Sequence, residues 1–118
     1  MSKLKGILQK KEERETKLRR LLDVIVNHLK EMGALKIILF GSLAGGEIDV
    51  DSDLDLVVIM PSTKRGKEWT KLIYERIERE VASDIIVYNH KEFEEELPIS
   101  RFLRNVVMLG RVIYEKTA

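Results

Sequence analysis

Phe40-Gly41-Ser42-Leu43-Ala44-Gly45-Gly46, followed at once by an acidic loop and then Ser52-Asp53-Leu54-Asp55-Leu56, carries most of what this chain discloses. Lys36 to Phe40 is a short apolar run that meets Gly41, so it reads as a buried strand ending in a tight turn. The turn offers backbone N–H groups and the Ser42 hydroxyl to an anion, and Gly41 lets that anion approach the backbone closely. The next strand opens on Asp53 and Asp55, spaced i, i+2. Side chains alternate across a strand, so these carboxylates point the same way. Like charges held side by side repel unless a cation sits between them, and a hard divalent ion with oxygen ligands suits that place.

Working outward, Leu54 to Met60 is an unbroken apolar run that stops at Pro61, which predicts a central strand buried on both faces. Upstream, Leu18, Leu21, Leu22, Ile25, Leu29 and Met32 recur at helical spacing, and Gly33 ends the pattern. Residues 9–17 are almost wholly polar, so residues 1–17 are expected to form a polar helical extension. Downstream, Pro61 to Lys67 is a turn carrying Lys64, Arg65 and Lys67. Trp69, Leu72, Ile73, Ile77 and Val81 predict a helix, and Asp84 to Tyr88 a strand headed by an acid. Pro98 separates a short acidic piece from a last helix that uses Ile99, Phe102, Leu103, Val106 and Leu109. Gly110 suits the left-handed position after that helix, and Arg111 to Glu115 suits a short final strand. With residues 42–46 making at most one or two helical turns, the order is α-β-α-β-α-β-α-β. That order predicts one α/β domain over residues 1–118, a short mixed β-sheet flanked by helices.

Composition narrows the function classes. The 118 residues suffice for one modest core. Charged residues make up 35% of the chain, yet 21 basic and 20 acidic residues leave a net charge of +1. No bulk charge therefore draws it to nucleic acid or an anionic membrane. There is no cysteine, which rules out disulfides and thiolate metal sites. No apolar run approaches the ~20 residues of a membrane span, and the charged N-terminus lacks the apolar centre of a signal peptide. The expected location is the cytoplasm.

Each candidate site has a plainer reading. Gly41-Ser42 alone fits an ordinary strand-to-helix turn with Ser42 as N-cap, and the Gly-Lys-Ser/Thr ending of a Walker loop is absent. Asp53 and Asp55 fit a solvated loop less well, because Leu54 and Leu56 lead into a buried strand and Asp is disfavoured in strands. An EF-hand fails in both registers. Counting from Asp49, the places for Gly and Glu hold Leu54 and Met60; counting from Asp51, they hold Leu56 and Ser62. Asp84 alone reads as a strand-start acid. If its strand lies beside that of Asp53 and Asp55, three carboxylates converge, a known arrangement for metal-assisted phosphoryl and nucleotidyl transfer. Lys64, Arg65 and Lys67 fit a solvated turn or a phosphate contact. Nothing in the spacing of His28 and His90 suggests a role.

Taken together, these residues resemble the DNA polymerase β-like nucleotidyltransferase superfamily, and within it the minimal nucleotidyltransferases, over roughly residues 18–115. The shared pattern is a strand, Gly41-Ser42, a short helix, Gly46, Asp53-Leu54-Asp55 on the next strand and Asp84 on a later one. The ending Leu109-Gly110-Arg111-Val112-Ile113-Tyr114-Glu115 is similar too. The resemblance implies the small nucleotidyltransferase fold. It implies that Asp53, Asp55 and Asp84 bind Mg²⁺ or Mn²⁺ and act in catalysis. Asp84 draws the proton from the attacking hydroxyl, and Gly41 and Ser42 hold the triphosphate of an NTP, expected to be ATP. Where many relatives carry basic residues after Gly-Ser, this chain has Leu43 and Gly45. Its phosphate grip is then weaker, or is supplied by Lys64, Lys67 or a partner.

The chemistry so implied moves a nucleoside monophosphate, expected to be AMP, from an NTP to a hydroxyl on a protein or small molecule and releases pyrophosphate. Minimal members often pair with a small helical HEPN-type protein as toxin and antitoxin. A partner of that kind, or self-association, is expected here. Two rivals stand beside the enzyme: a partner-binding antitoxin with a vestigial nucleotide site, and a nonenzymatic acidic metal-binding module, which leaves Gly41-Ser42 unexplained.

Overall fold

The computed structural model describes residues 2–41, 54–77 and 83–117, with residues 2–11 as backbone alone. The described elements are α1 (Ser2–Met32), β1 (Lys36–Phe40), β2 (Leu54–Met60), α2 (Gly66–Arg76), β3 (Ser83–Asn89), α3 (His90–Glu96), α4 (Arg101–Leu109) and β4 (Arg111–Glu115). The helical turn expected over 42–46 lies outside them, as do Ser42, Asp53 and Val81.

α1 is a single helix in which the predicted apolar stripe and the polar segment before it are continuous. Leu18, Leu21, Ile25 and Leu29 form its buried face. The polar part has local support: Arg19 donates twice to Glu15 Oε1, at 3.1 and 2.9 Å, and the Thr16 hydroxyl donates to the Glu12 carbonyl. Gly33 ends the helix with φ of 100°. Its N–H reaches the Lys30 carbonyl while that of Ala34 reaches Leu29, both at 3.0 Å. This is a Schellman closure, which needs a left-handed residue at that place.

The sheet order is β3-β2-β1-β4. β1 pairs antiparallel with β2 and with β4, while β2 and β3 are parallel and joined through α2. β2 therefore sits inside the sheet, and every residue of it except Asp55 is buried. Alternation along the strands divides the core into two layers. On one face Ile37, Leu39, Leu56, Val58 and Met60 pack with α1 and with Trp69 and Ile73 of α2. On the other, Ile38 and Val57 pack with Leu103 and Val106 of α4, and with Phe40, Ile86 and Tyr88 beside them. Burial there, with Glu96 and Glu92 close by, raises the Tyr88 pKa above its ordinary value.

Caps fix the helices on the second face. The Asn89 side chain accepts from the Glu92 N–H at 2.7 Å, and Glu92 Oε1 accepts from the N–H groups of Asn89 and Gly66. One carboxylate thus completes a capping box and ties the start of α3 to that of α2. Ser100 caps α4 by accepting from Leu103 N–H.

Several expectations need correction. α2 stops at Arg76 and Ile77 is extended, so the helix is shorter than its apolar spacing suggested. Gly110 is not left-handed; its φ and ψ are −77° and 173°. A glycine is required for space instead. A Cβ there would lie 2.5 Å from the Val106 carbonyl oxygen and 2.8 Å from Ile38 Cγ2, so α4 could not pass so close to β1. The apolar stripe of α4 is also only partly buried. Leu103 and Val106 are buried, whereas Ile99 is 75% and Leu109 80% exposed and Phe102 is partly open. No helix of the described residues is long and apolar enough to cross a membrane.

Candidate functional site

The register of the strands places two of the predicted acids. β2 and β3 run in parallel with Asp55 opposite Asp84. Directly paired residues in a sheet project to the same face, and neighbouring strands lie about 4.8 Å apart. The two carboxylates are therefore neighbours, at the strand ends where β2 and β3 begin. On the other side of β2, Phe40 pairs with Asp55. The row Phe40, Asp55, Asp84 thus crosses three strands on the face that α4 partly covers. Asp55 is half-buried and Asp84 exposed.

Gly41 lies against this pair. Its φ is 78°, and a Cβ there would fall on the carboxylate of Asp55, only 3.2 Å from Cγ. The positive φ and the contact act together: a left-handed turn brings bare backbone against the acid, and a side chain would obstruct both. The site thus joins a close-approach backbone segment to two carboxylates. Ser42 and Asp53, the other predicted members, lie outside the described residues.

Oxygen donors on adjacent strands suit a hard divalent cation such as Mg²⁺ or Mn²⁺, and the repulsion between them would be relieved by one. Among the described residues no group of three potential metal ligands forms. Asp55 and Asp84 account for two of the three expected carboxylates, and Asp53 is the residue the sequence adds.

The basic turn does not join the acids. Asp55 is the second residue of β2, and Lys64 follows the end of that strand. At about 3.3 Å per residue, the strand from Asp55 to Met60 already separates them by about 16 Å. Lys64 Nζ sits 4.8 Å from the centre of the Trp69 ring, and its carbonyl accepts from Asn89 Nδ2. Trp69 in turn donates to the Pro61 carbonyl. Lys64 thus braces the far end of the sheet, and the expectation that Lys64 or Lys67 supplies the missing phosphate contacts is set aside.

Sequence reasoning missed a cavity of about 390 Å³ next to Gly41, lined by Phe40, Gly41, Phe102, Asn105, Val106, Leu109 and Gly110. Phe40 and Phe102 meet edge to face, their ring centres 5.6 Å apart. The signal was present in weak form. Asn105 is an amide set into the helical stripe Phe102, Val106, Leu109, where a wholly buried helix would carry only apolar residues.

The pattern of the nucleotidyltransferase domain family matches residues 18–113. A crystal structure of a candidate nucleotidyltransferase from Sulfolobus solfataricus is similar in fold, with a TM-score of 0.55 at 12% identity. The likeness covers 93% of this chain and 87% of that one. No curated protein matches the sequence. The matched span begins within α1, runs through β1, β2 and β3 and ends within β4, so it contains Gly41, Asp55 and Asp84: this chain belongs to the nucleotidyltransferase domain family.

Proposed function

We propose that this chain transfers a nucleoside monophosphate, AMP from ATP, to a hydroxyl group in a reaction that depends on Mg²⁺ or Mn²⁺. The observation that carries the proposal is the pairing of Asp55 with Asp84 across parallel strands, with the backbone of Gly41 against Asp55. Gly41 and Ser42 hold the triphosphate through backbone N–H groups and a hydroxyl. Asp53, Asp55 and Asp84 would hold the metal through their carboxylate oxygens. Asp84, being exposed, is open to the acceptor and takes the proton of its hydroxyl. The acceptor oxygen bonds to the α-phosphorus, the bond to the bridging oxygen breaks, and that oxygen leaves with pyrophosphate. The divalent ion, when bound, neutralises phosphate charge and lowers the pKa of the attacking hydroxyl.

Titration calorimetry tests the nucleotide half of this reading. ATP should bind weakly without Mg²⁺, because the acids repel its phosphates, and clearly more tightly with it. Ser42→Ala should weaken the Mg²⁺-dependent binding by about 1 kcal/mol, the scale of one hydrogen bond. Equal ATP affinity with and without Mg²⁺ would overturn the site.

We infer in addition that a small helical protein of the HEPN type covers the open side of α4, as toxin to this antitoxin. Ile99 at 75% and Met108 at 78% exposure favour a covered surface there. α-Labelled ATP separates the two roles. Label appearing on a co-purified partner marks it as the acceptor. A wild-type protein that neutralises its partner without labelling it, or any small molecule, supports binding alone.

A further inference from the structure

Holding a triphosphate does not account for the cavity between β1 and α4. Its volume of about 390 Å³ lies within the range of small-molecule sites. It begins at Gly41, the residue whose backbone lies against Asp55, so one end of it is beside that acid. Its wall is mostly apolar and includes two phenyl rings, those of Phe40 and Phe102. One polar side chain enters that wall: Asn105, whose amide has no hydrogen-bond partner among the described residues.

We propose that this cavity is the nucleobase subsite and that Asn105 reads adenine in it. The inference rests on the nucleotide-binding reading of the acids and adds the place and the residue by which the adenine of that reading would be recognised. Three features select the occupant. A nucleotide whose phosphates lie at Gly41 must place its sugar and base within a few bonds of that point, and the cavity starts there. Flat aromatic bases gain from phenyl walls, because every base has a π-face. A carboxamide presents one donor and one acceptor side by side, which matches the N6 amino group and N7 of adenine. Guanine offers two acceptors, O6 and N7, on the same edge, and an amide leaves one of them facing another acceptor. Pyrimidines can form a two-bond pair but cover less of the phenyl wall.

The sequence hid this site for a physical reason. Phe102, Val106 and Leu109 have the spacing of a core stripe, yet only Val106 among them is buried. The stripe is wider than the strip of sheet that α4 covers, and the excess lines the cavity.

Calorimetry in Mg²⁺ with ATP, GTP and inorganic tripolyphosphate tests the proposal on wild type and Asn105→Leu. Asn105 is exposed, so the variant is expected to fold, and circular dichroism confirms it. Wild type should prefer ATP to GTP by about tenfold, the scale of a good bidentate amide–base pair. Asn105→Leu should lose about that factor for ATP and bind ATP and GTP alike, while its tripolyphosphate affinity stays that of wild type. Wild type that binds ATP no better than GTP, or a variant with unchanged ATP affinity, would overturn the subsite and leave the triphosphate site standing. That second result would give the cavity to the acceptor or a protein partner. Absence of binding by ATP and tripolyphosphate alike would overturn the nucleotide reading itself, and the subsite with it.

Discussion

Asp55→Asn and Asp84→Asn should each lower the transfer of label from α-labelled ATP by about a thousandfold or more while leaving the protein folded. Asn keeps the shape of Asp and removes its charge. Asp55 is half-buried and Asp84 exposed, so neither change opens a cavity. The two residues are paired across adjacent strands, and neutralising either relieves repulsion in the metal-free protein. For the exposed Asp84, thermal stability should accordingly hold or rise slightly. Activity should collapse for two reasons. The two carboxylates that remain would hold a divalent ion less firmly than three, and the amide introduced by Asp84→Asn cannot accept the proton of the acceptor. The double change Asp53→Asn with Asp55→Asn should behave the same way and still bind a partner. A folded single variant that keeps more than about a tenth of the wild-type rate would mean that these acids are not the catalytic set.

Gly41→Ala should cost about a hundredfold in the same assay, the scale of an ångström of misplacement at a reacting centre. At φ of 78° an L-residue is strained by about 1–2 kcal/mol. The added Cβ also falls on the carboxylate of Asp55 and must push it aside. Gly33→Ala supplies the comparison. Gly33 has a φ of 100°, but a Cβ there meets nothing nearer than Pro61 Cγ at 3.8 Å. That variant should lose comparable stability in urea unfolding and keep its activity. If the two variants lose activity equally, backbone strain explains the loss and contact with Asp55 does not.

How far the sequence could be read follows from where burial is complete. β2 is buried on both faces, so its apolar run was unbroken and its limits, Leu54 and Met60, were legible. α1 buries one stripe at strict helical spacing and ends on a glycine, so its C-terminus was legible too. The pairing of Asp55 with Asp84 was legible only as a condition, because the order of strands is set by packing between distant segments. α4 was legible as a helix, but how much of its apolar face is buried was not. Its apolar residues exceed what it buries, and periodicity alone cannot tell a core stripe from the wall of a cavity. Gly110 shows a similar limit: the residue marks both a left-handed turn and a close approach, and here steric contact with Val106 and Ile38 decides. Lys64 looked available for phosphate because charge is visible in sequence, whereas its place at the far end of β2, over Trp69, is not.

The most direct test of the account is the position of a divalent ion. Crystals grown with Mn²⁺ and a non-hydrolysable ATP analogue can be measured at the manganese absorption edge. The account predicts an anomalous peak between the carboxylates of Asp55 and Asp84, with the triphosphate against Gly41 and the base in the cavity beside Asn105. Bound nucleotide with no manganese on either acid, or manganese elsewhere on the protein, would contradict it.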